Sequence, residues 1–362
     1  MRPLSLITGL FFAGTVSAQP APTPFKVGTL SQGDRVFVGV VVRDSFVIDF
    51  NAAHRAVTAQ RSTLAAVADM KDLITRYDAG VRARIVELIA AAGDVSRANR
   101  PAWVHQLRTL KILPPIMYPT VMLNVAVNYA EHDIEMARGR LLGSNPPTAG
   151  RALEGTTSSP GIWERASDDW RWNPYMFMKS PGVIVAHGEP VRIPPKRDRI
   201  EWECELGVVI GKTTTRPTVD QAGAFIFGFT NENDMSDRGG RGDSRHGSDW
   251  VISKNHDTFA PMGPFITPKE FIPDVGRMKM TFVLNGEELQ TGTTAQMIHN
   301  VFEQVAYASG ILTLRPGDVI ATGTPPGVGS ARNPPILLKA GDRMACSYEG
   351  VGTLSNPVVA TP

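Results

Sequence analysis

The spacing of apolar residues predicts a small strand-and-helix unit in the first third of the chain. Three short runs rich in Val and Phe lie between residues 25 and 50, and the turns that separate them predict a three-stranded meander. In residues 63–92 apolar side chains recur at steps of three and four, which predicts helical structure packed on those strands. Prolines concentrated in residues 101–119 indicate a connector, so the unit is expected to occupy residues 19–118.

Residues 119–362 are predicted to form a larger, β-rich unit. Short apolar runs follow one another there, and helical spacing returns only in residues 293–314, which predicts the β-rich α+β class rather than an alternating βαβ chain. An insert at residues 139–172 is rich in Gly, Pro, Ser and Thr and carries tryptophans, which favours a lid or cover over a free linker. The main predicted strands lie at residues 183–185, 204–210, 224–230, 280–284, 319–321 and 343–347.

The first 18 residues have the pattern of a secretory signal peptide. A mostly apolar stretch at residues 4–16 follows Arg2 and leads into Val16-Ser17-Ala18, a small-x-small cleavage pattern. A membrane anchor is the alternative, but about 13 apolar residues are fewer than the roughly 20 that span a bilayer. We therefore expect cleavage after Ala18 and a periplasmic or secreted mature protein with no membrane association.

Composition and charge restrict the classes of partner. The 362 residues include 37 Lys and Arg against 35 Asp and Glu, a balance unlike the clustered basic excess of nucleic-acid-binding proteins. Cys204 and Cys346 are the only cysteines, too few for a disulfide framework or a cysteine-rich zinc site. Cys204 is expected to face the core and to have no catalytic role. Small molecules are therefore the expected partners, and nucleic acid is not.

Alternating acidic residues mark a candidate metal site. Glu201, Glu203 and Glu205 alternate through the start of a predicted strand, so their side chains should share one face. Asp234 ends a second acidic segment, and carboxylate oxygens from neighbouring strand ends suit Mg²⁺, Mn²⁺ or Ca²⁺. An exposed acidic strand, whose internal repulsion is screened by solvent, explains the same pattern equally well.

A histidine and a glutamate mark a candidate proton-transfer pair. His132 and Glu135 lie one helical turn apart, so the carboxylate could orient one imidazole nitrogen and leave the other as a base for water. An exposed helical ion pair is the alternative. Four cations elsewhere in the chain, each either a surface charge or a partner for an oxyanion, are Lys179, Arg238, Arg241 and Lys254.

Seven sequence blocks connect these residues. They are NYAEHDIE (128–135), PYMFMKSP (174–181), IEWECELGVVIGK (200–212), FGFTNENDMSDR (227–238), SKNHDTFAPMGP (253–264), LRPGDVIATGTPPGVG (314–329) and GDRMACSYEGVGTLSN (341–356). In this order and spacing, the blocks resemble the fumarylacetoacetate hydrolase superfamily over residues 128–358.

The resemblance implies a mixed β-sandwich roll of the fumarylacetoacetate hydrolase type, preceded by a small N-terminal strand-and-helix domain and usually assembled as a homodimer. It also implies a divalent-metal site for Mg²⁺ or Mn²⁺, with Ca²⁺ as a further option. By their positions in the motifs, Glu203, Glu205 and Asp234 are the expected metal ligands. Glu201 matches a looser position and is expected at the rim of the site.

The resemblance also assigns roles to the remaining candidates. The histidine and glutamate match a pair that the family carries on a mobile lid segment, and the cations match residues around its metal. The expected catalytic residues are His132, Glu135, Lys254 and Arg238, and the expected substrate-binding residues are Lys179, Tyr129, Arg241 and Thr324.

These roles imply an enzyme acting on a small anionic 2-oxo or diketo acid, such as an acylpyruvate or a fumarylacetoacetate-like acid. Hydrolysis of a C–C bond is the favoured reaction, with the enolate stabilised by metal, Lys and Arg. Decarboxylation, isomerisation or tautomerisation, and hydration are alternatives at the same site, and a non-catalytic small-acid binding protein is a further one. Many hydrolytic members of the family that it resembles carry a Gln shortly after the arginine, whereas residues 238–241 here read Arg-Gly-Gly-Arg.

Overall fold

The structure, a computed structural model, describes residues 23–57, 64–141, 159–166, 168–169, 171–240, 245 and 249–361. The predicted signal peptide and most of the predicted insert therefore lie outside the described residues. No helix in the described ranges is long and apolar enough to cross a membrane.

Strands dominate the described residues, as the apolar pattern predicts. The helices are α1 (Phe50–Ala56), α2 (Met70–Thr75), α3 (Arg82–Ala92), α4 (Ala130–Leu141), α5 (Val219–Ala222), α6 (Trp250–Lys254) and α7 (Val301–Ile311). The strands of the first half are β1 (Lys26–Gln32), β2 (Arg35–Val42), β3 (Phe46–Asp49), β4 (Val104–Gln106), β5 (Lys111–Ile112), β6 (Met122–Ala126), β7 (Tyr175–Met178), β8 (Ile184–Val185), β9 (Val191–Ile193) and β10 (Ile200–Glu201). Those of the second half are β11 (Cys204–Ile210), β12 (Ile226–Asn233), β13 (Ser236–Asp237), β14 (Ala260–Pro268), β15 (Lys279–Leu284), β16 (Glu287–Thr293), β17 (Val319–Ala321), β18 (Arg343–Tyr348) and β19 (Gly352–Ala360).

The N-terminal meander is confirmed, but the predicted helical stretch is interrupted. Strands β1, β2 and β3 pair antiparallel in sequence order. Between α2 and α3 the chain passes through a π-helical turn in which Gly80 has φ +113°, a conformation that breaks the α-helical path. The side chains of α2 and α3 still bury their apolar face, for example at Leu73, Ile85 and Leu88.

One large mixed sheet combines the N-terminal strands with strands from the larger unit. Its strands run in the order β4-β3-β2-β1-β14-β12-β11-β17-β6-β7, with β5 and β8 paired at β1 and β14. Strand β14 is not predicted from the sequence, because it contains three prolines, and proline is rare in strand interiors. The boundary proposed near residue 118 stays a prediction, and β1 of the N-terminal part pairs directly with β14.

A second sheet of five strands, in the order β16-β15-β18-β19-β9, packs on one face of the large sheet. Leu206 and Val208 of β11 share a core with Phe282 of β15 and Met344 of β18. This layered arrangement confirms the β-rich α+β class.

A disulfide crosses this core. Cys204 of β11 and Cys346 of β18 are bonded, although 142 residues separate them in the chain. The buried position of Cys204 is as expected, while its bond is a feature that the sequence analysis does not predict. The bond fixes one face of β11 to the second sheet, and Glu205, next in sequence, faces the other way.

Candidate active site

Three carboxylates meet where β11 begins and β12 ends. One ligand oxygen each from Glu203, Glu205 and Asp234 lies within 4.8 Å of the others, and all three residues are buried. We call this group the carboxylate cluster. Its burial excludes the alternative of an exposed acidic strand.

The backbone of the β11–β12 pair builds the cluster. Glu205 pairs with Glu232 across the two strands, and this antiparallel register brings the end of β12 next to the start of β11. The amide of Asp234 then donates to the carbonyl of Glu203 at 2.8 Å, and the Glu203 amide donates to the side chain of Asn233 at 3.0 Å. Hydrogen bonds donated by their main-chain amides thus fix Glu203 and Asp234 next to each other, although the two residues are far apart in the sequence.

Three predicted cations surround the cluster. The Lys254 ammonium donates to Glu203 at 2.7 Å, to Asp234 at 2.6 Å and to the Ser236 hydroxyl at 2.7 Å. Lys179 forms an ion pair with Asp234, and Arg238 forms one with Glu203. The structure therefore brings these three cations together with the ligands expected from the sequence.

These charges control one another's ionisation. Burial alone would lower the pKa of Lys254, but the carboxylates of Asp234 and Glu203 outweigh it and raise that pKa. Burial would likewise raise the pKa of Glu203, but Lys254 and Arg238 hold it well below its usual range. Both groups are therefore charged at neutral pH.

Glu201 is not at the rim, so that expectation is wrong. It is fully buried, pairs with Arg238, and accepts a hydrogen bond from the backbone amide of Ser330. The reason is a break in the strand: β10 ends at Glu201 and β11 starts at Cys204, so simple alternation does not describe the segment. Glu201 instead holds the guanidinium that reaches Glu203.

Buried acids outnumber cations around the cluster. Glu205 accepts a backbone N–H from Gly323 at 2.9 Å and, among the described residues, has no cation at ion-pair distance. Burial, followed by the charges of Asp234 and Glu232, raises its pKa well above the ordinary value. Glu232, which the sequence analysis did not assign, is also buried with a raised pKa, and one of its oxygens has no hydrogen-bond partner in the described part of the chain. A bound cation would relieve this excess, and a set of carboxylate oxygens is what Mg²⁺ and Mn²⁺ prefer.

The predicted histidine and glutamate are joined beside the cluster. In α4 the Nδ1 of His132 lies 2.7 Å from Glu135, and its Nε2 lies 4.0 Å from the nearest oxygen of Glu203. His132 is only 8% exposed, which excludes an exposed helical ion pair. One ring nitrogen is therefore occupied by a carboxylate and the other is directed at the cluster.

A glycine holds Glu135 in place. The backbone N–H of Gly327 donates to both carboxylate oxygens of Glu135, at 2.8 and 3.0 Å. Gly327 has φ +109°, and a Cβ there would collide with the carbonyl oxygen of Leu289. The loop after β17 therefore needs glycine at this position to orient the His132–Glu135 pair, a contact that the sequence analysis did not predict.

The remaining predicted substrate-binding residues differ in position. Thr324 is buried, donating to the carbonyl of Cys204 at 3.0 Å and accepting from Gln290 at 2.9 Å. Tyr129 is fully buried beside Tyr348, and burial raises its phenol pKa. Arg241 lies outside the described residues. Substrate contacts by these residues stay predictions.

Part of the predicted insert contacts the body of the protein. Trp163 is buried, with its ring edge-to-face against His299 at 6.5 Å and Tyr307 at 5.9 Å. His299 also contacts the carbonyl of Trp172 at 2.7 Å. These contacts attach the end of the insert to α7; a lid function stays a prediction.

Comparison with known proteins identifies similar chains. The family model described as fumarylacetoacetate (FAA) hydrolase C-terminal matches residues 122–359. The mitochondrial oxaloacetate tautomerase fahd2 of Xenopus laevis is 33% identical over 291 residues, covering 79% of this chain and 82% of that protein.

Two solved structures are similar in fold. Maleylpyruvate hydrolase from Sphingobium sp. SYK-6, in complex with manganese(II) ion and pyruvate, aligns with a TM-score of 0.66 at 24% identity over 93% of this chain and 100% of that chain. The 5-carboxymethyl-2-hydroxymuconate delta-isomerase from Mycobacterium smegmatis aligns with a TM-score of 0.61 at 25% identity, over 93% and 99%. The predicted fold type is thereby confirmed.

Proposed function

The chain belongs to the fumarylacetoacetate hydrolase family of enzymes, and from this premise we propose that it hydrolyses a C–C bond in a small 2-oxo, diketo acid of the acylpyruvate class with the help of Mg²⁺ or Mn²⁺. The observation that carries this proposal is the pairing of a histidine, oriented by a carboxylate, with a buried carboxylate cluster. Simple binding of an acid would need no such base.

The metal would be held by Glu203, Glu205 and Asp234. The excess of buried acid around them supports this assignment, as does the raised pKa of Glu205. When bound, a divalent cation polarises the adjacent oxygens of a 2-oxo acid and stabilises negative charge on them.

His132 would act as the base. With its Nδ1–H donated to Glu135, the neutral ring leaves Nε2 free to take a proton from water. The water oxygen then bonds to the acyl carbonyl carbon of the substrate. Glu135 stabilises the imidazolium that forms, and Gly327 keeps that carboxylate in position.

The cations would stabilise the leaving fragment. The bond between the acyl carbon and the methylene carbon breaks, its electron pair passes to the enolate of pyruvate, and the acyl group leaves as a carboxylic acid. Lys254 and Arg238, both charged at the cluster, lower the energy of that enolate. Protonation of the methylene carbon by the imidazolium gives pyruvate and restores the neutral histidine.

Keto–enol tautomerisation of a 2-oxo acid is the second candidate. It needs the same enolate stabilisation and the same base, now acting on a carbon-bound proton instead of water. The specific support is the Xenopus laevis relative, an oxaloacetate tautomerase that matches 79% of this chain.

Product analysis separates the two reactions. The protein is incubated with Mn²⁺ and acetylpyruvate, benzoylpyruvate, fumarylpyruvate or oxaloacetate, with products followed by mass and the enol by its ultraviolet absorbance. Pyruvate plus acetate from acetylpyruvate supports hydrolysis. Faster ketonisation of oxaloacetate, without cleavage of any acylpyruvate, overturns hydrolysis in favour of tautomerisation.

We also propose that the protein is exported and works as a homodimer. The disulfide between Cys204 and Cys346 supports export, because such bonds persist mainly in oxidising compartments. Expression in a bacterium should yield periplasmic protein whose mass corresponds to a chain that begins at Gln19. Recovery of the protein in the cytosol with residues 1–18 still attached would contradict export. Sedimentation should give the mass of two chains, and a single-chain mass would contradict the dimer.

A further inference from the structure

Strand β7 carries a row of side chains that leads away from the carboxylate cluster. Because strand side chains alternate between faces, Tyr175 and Phe177 of β7 share one face. Lys179 directly follows the strand, and its amide still donates to the carbonyl of Met122 on β6 at 3.1 Å, so it continues the same row. Lys179 is buried and paired with Asp234, whereas Tyr175 is 51% exposed. The row therefore runs from the cluster to solvent.

Helix α6 carries a lysine and an aromatic residue in the same order. Trp250 and Lys254 are four residues apart and share a helix face, and Lys254 is bound to Glu203 and Asp234. A lysine lies at the cluster and an aromatic ring lies beyond it, as in residues 175–179.

The two elements meet through their rings. The ring centre of Trp250 lies 4.7 Å from that of Phe177 and 5.6 Å from that of Tyr175. The ammonium of Lys254 lies 5.2 Å from the centre of Phe177, so the rings begin where the charged cluster ends. We call Tyr175, Phe177 and Trp250 the aromatic lane.

The chemistry of the aromatic lane indicates what it would bind. Its three side chains carry no charge and present flat ring surfaces, which favour planar apolar groups and offer no cation to a second carboxylate. The neighbouring lysines are already committed to Asp234 and Glu203. A substrate held at the cluster by its 2-oxo acid end could place its acyl end along these rings.

We propose that the aromatic lane binds the acyl end of the substrate, and that the preferred substrates are acylpyruvates ending in an aryl or other planar apolar group rather than a carboxylate. This inference rests on the proposed function and narrows its substrate class.

The test compares benzoylpyruvate, acetylpyruvate and fumarylpyruvate with the full-length protein and Mn²⁺. Benzoylpyruvate should have the highest kcat/KM, at least about tenfold above fumarylpyruvate. Trp250→Ala should lower the benzoylpyruvate-to-acetylpyruvate ratio of kcat/KM by about tenfold or more, whereas Trp250→Phe should retain most of it. Val251→Ala is the matched control, because Val251 is 72% exposed on the same helix, and it should leave the ratio unchanged.

An unchanged ratio in Trp250→Ala overturns the proposal. If that variant also changes from dimer to monomer in sedimentation, the aromatic lane is an interface between copies of the chain. Turnover of acetylpyruvate with no preference for benzoylpyruvate overturns the proposal that the aromatic lane binds the acyl end. The proposed function is not affected by that result.

Failure of the proposed function has a different signature, the absence of cleavage for all three acids. In that case binding affinities test whether the aromatic lane binds the acyl end. Tryptophan fluorescence titration should show at least about tenfold tighter binding of benzoylpyruvate than of acetylpyruvate, and Trp250→Ala should remove the difference. Equal affinities overturn the inference.

Discussion

The carboxylate cluster and the His132–Glu135 pair lie side by side but are built in different ways. The cluster stands on adjacent strands of the large sheet, where backbone pairing between β11 and β12 fixes its members. The pair stands on α4 and is linked to the body by the Gly327 amide. The strands position the carboxylates that would bind the metal, whereas the helix positions a histidine that can exchange protons.

The difference implies that binding and turnover can be separated by substitution. Substitutions in the cluster should lower metal affinity and therefore also turnover, which depends on the metal. Changes in the pair should affect turnover while the metal remains bound.

Glu203→Gln should have the largest effect. The substitution keeps the size of the side chain but removes a ligand charge and leaves Lys254 and Arg238 without their shared partner. Mn²⁺ affinity measured by calorimetry should fall by at least about 100-fold, and turnover should be lost. Glu287→Gln, at an exposed carboxylate of β16, is the control. Wild-type metal affinity in Glu203→Gln would exclude Glu203 as a ligand.

His132→Ala should reduce kcat by about 10²- to 10⁴-fold, the usual contribution of a general base. Mn²⁺ affinity should stay within about threefold of the wild type, because the ring nitrogen lies 4.0 Å from the nearest ligand oxygen. The expected result is therefore a strongly reduced kcat together with an Mn²⁺ affinity, measured by calorimetry, close to that of the wild type. A kcat close to that of the wild type would exclude His132 as the base.

Glu135→Gln should have a smaller effect, a loss of about 10- to 100-fold in kcat. The amide oxygen can still accept the Gly327 N–H, but it no longer provides a charge to stabilise the imidazolium. In the His132→Ala background the same substitution should add little, because the two residues act as one unit. Additive losses in the double variant would show that they work independently.

Cys346→Ser tests the opposite face of β11. Loss of the disulfide should lower the free energy of unfolding by about 2–4 kcal/mol, measured by denaturant titration. Reductant should lower the stability of the wild type to that of the variant and leave the variant unchanged. Equal stability of the oxidised wild type and the variant would show that the bond is unimportant for stability.

The sequence predicts the elements of the site better than their connections. Motif order correctly brings together Glu203, Glu205 and Asp234, which lie where β11 begins and β12 ends. The burial of Glu201 could not be predicted, since it depends on a strand break and on the path of the Arg238 side chain.

Two further connections depend on distant parts of the chain. Gly327 reaches Glu135 across 192 residues, and Cys204 reaches Cys346 across 142. Neither contact has a local periodic signal, because both depend on how loops and sheets pack. Sequence patterns indicate which face a residue takes, whereas the partner on that face is set by tertiary structure.

Metal-dependent product formation tests the central claim most directly. The protein is stripped with a chelator, incubated separately with acetylpyruvate, benzoylpyruvate and fumarylpyruvate, and analysed by mass before and after addition of Mn²⁺ or Mg²⁺. We expect no cleavage by the stripped protein, and pyruvate and the matching carboxylic acid in equal amounts once the metal is restored. Equal cleavage with and without metal, or no cleavage of any of the three acids, would contradict this.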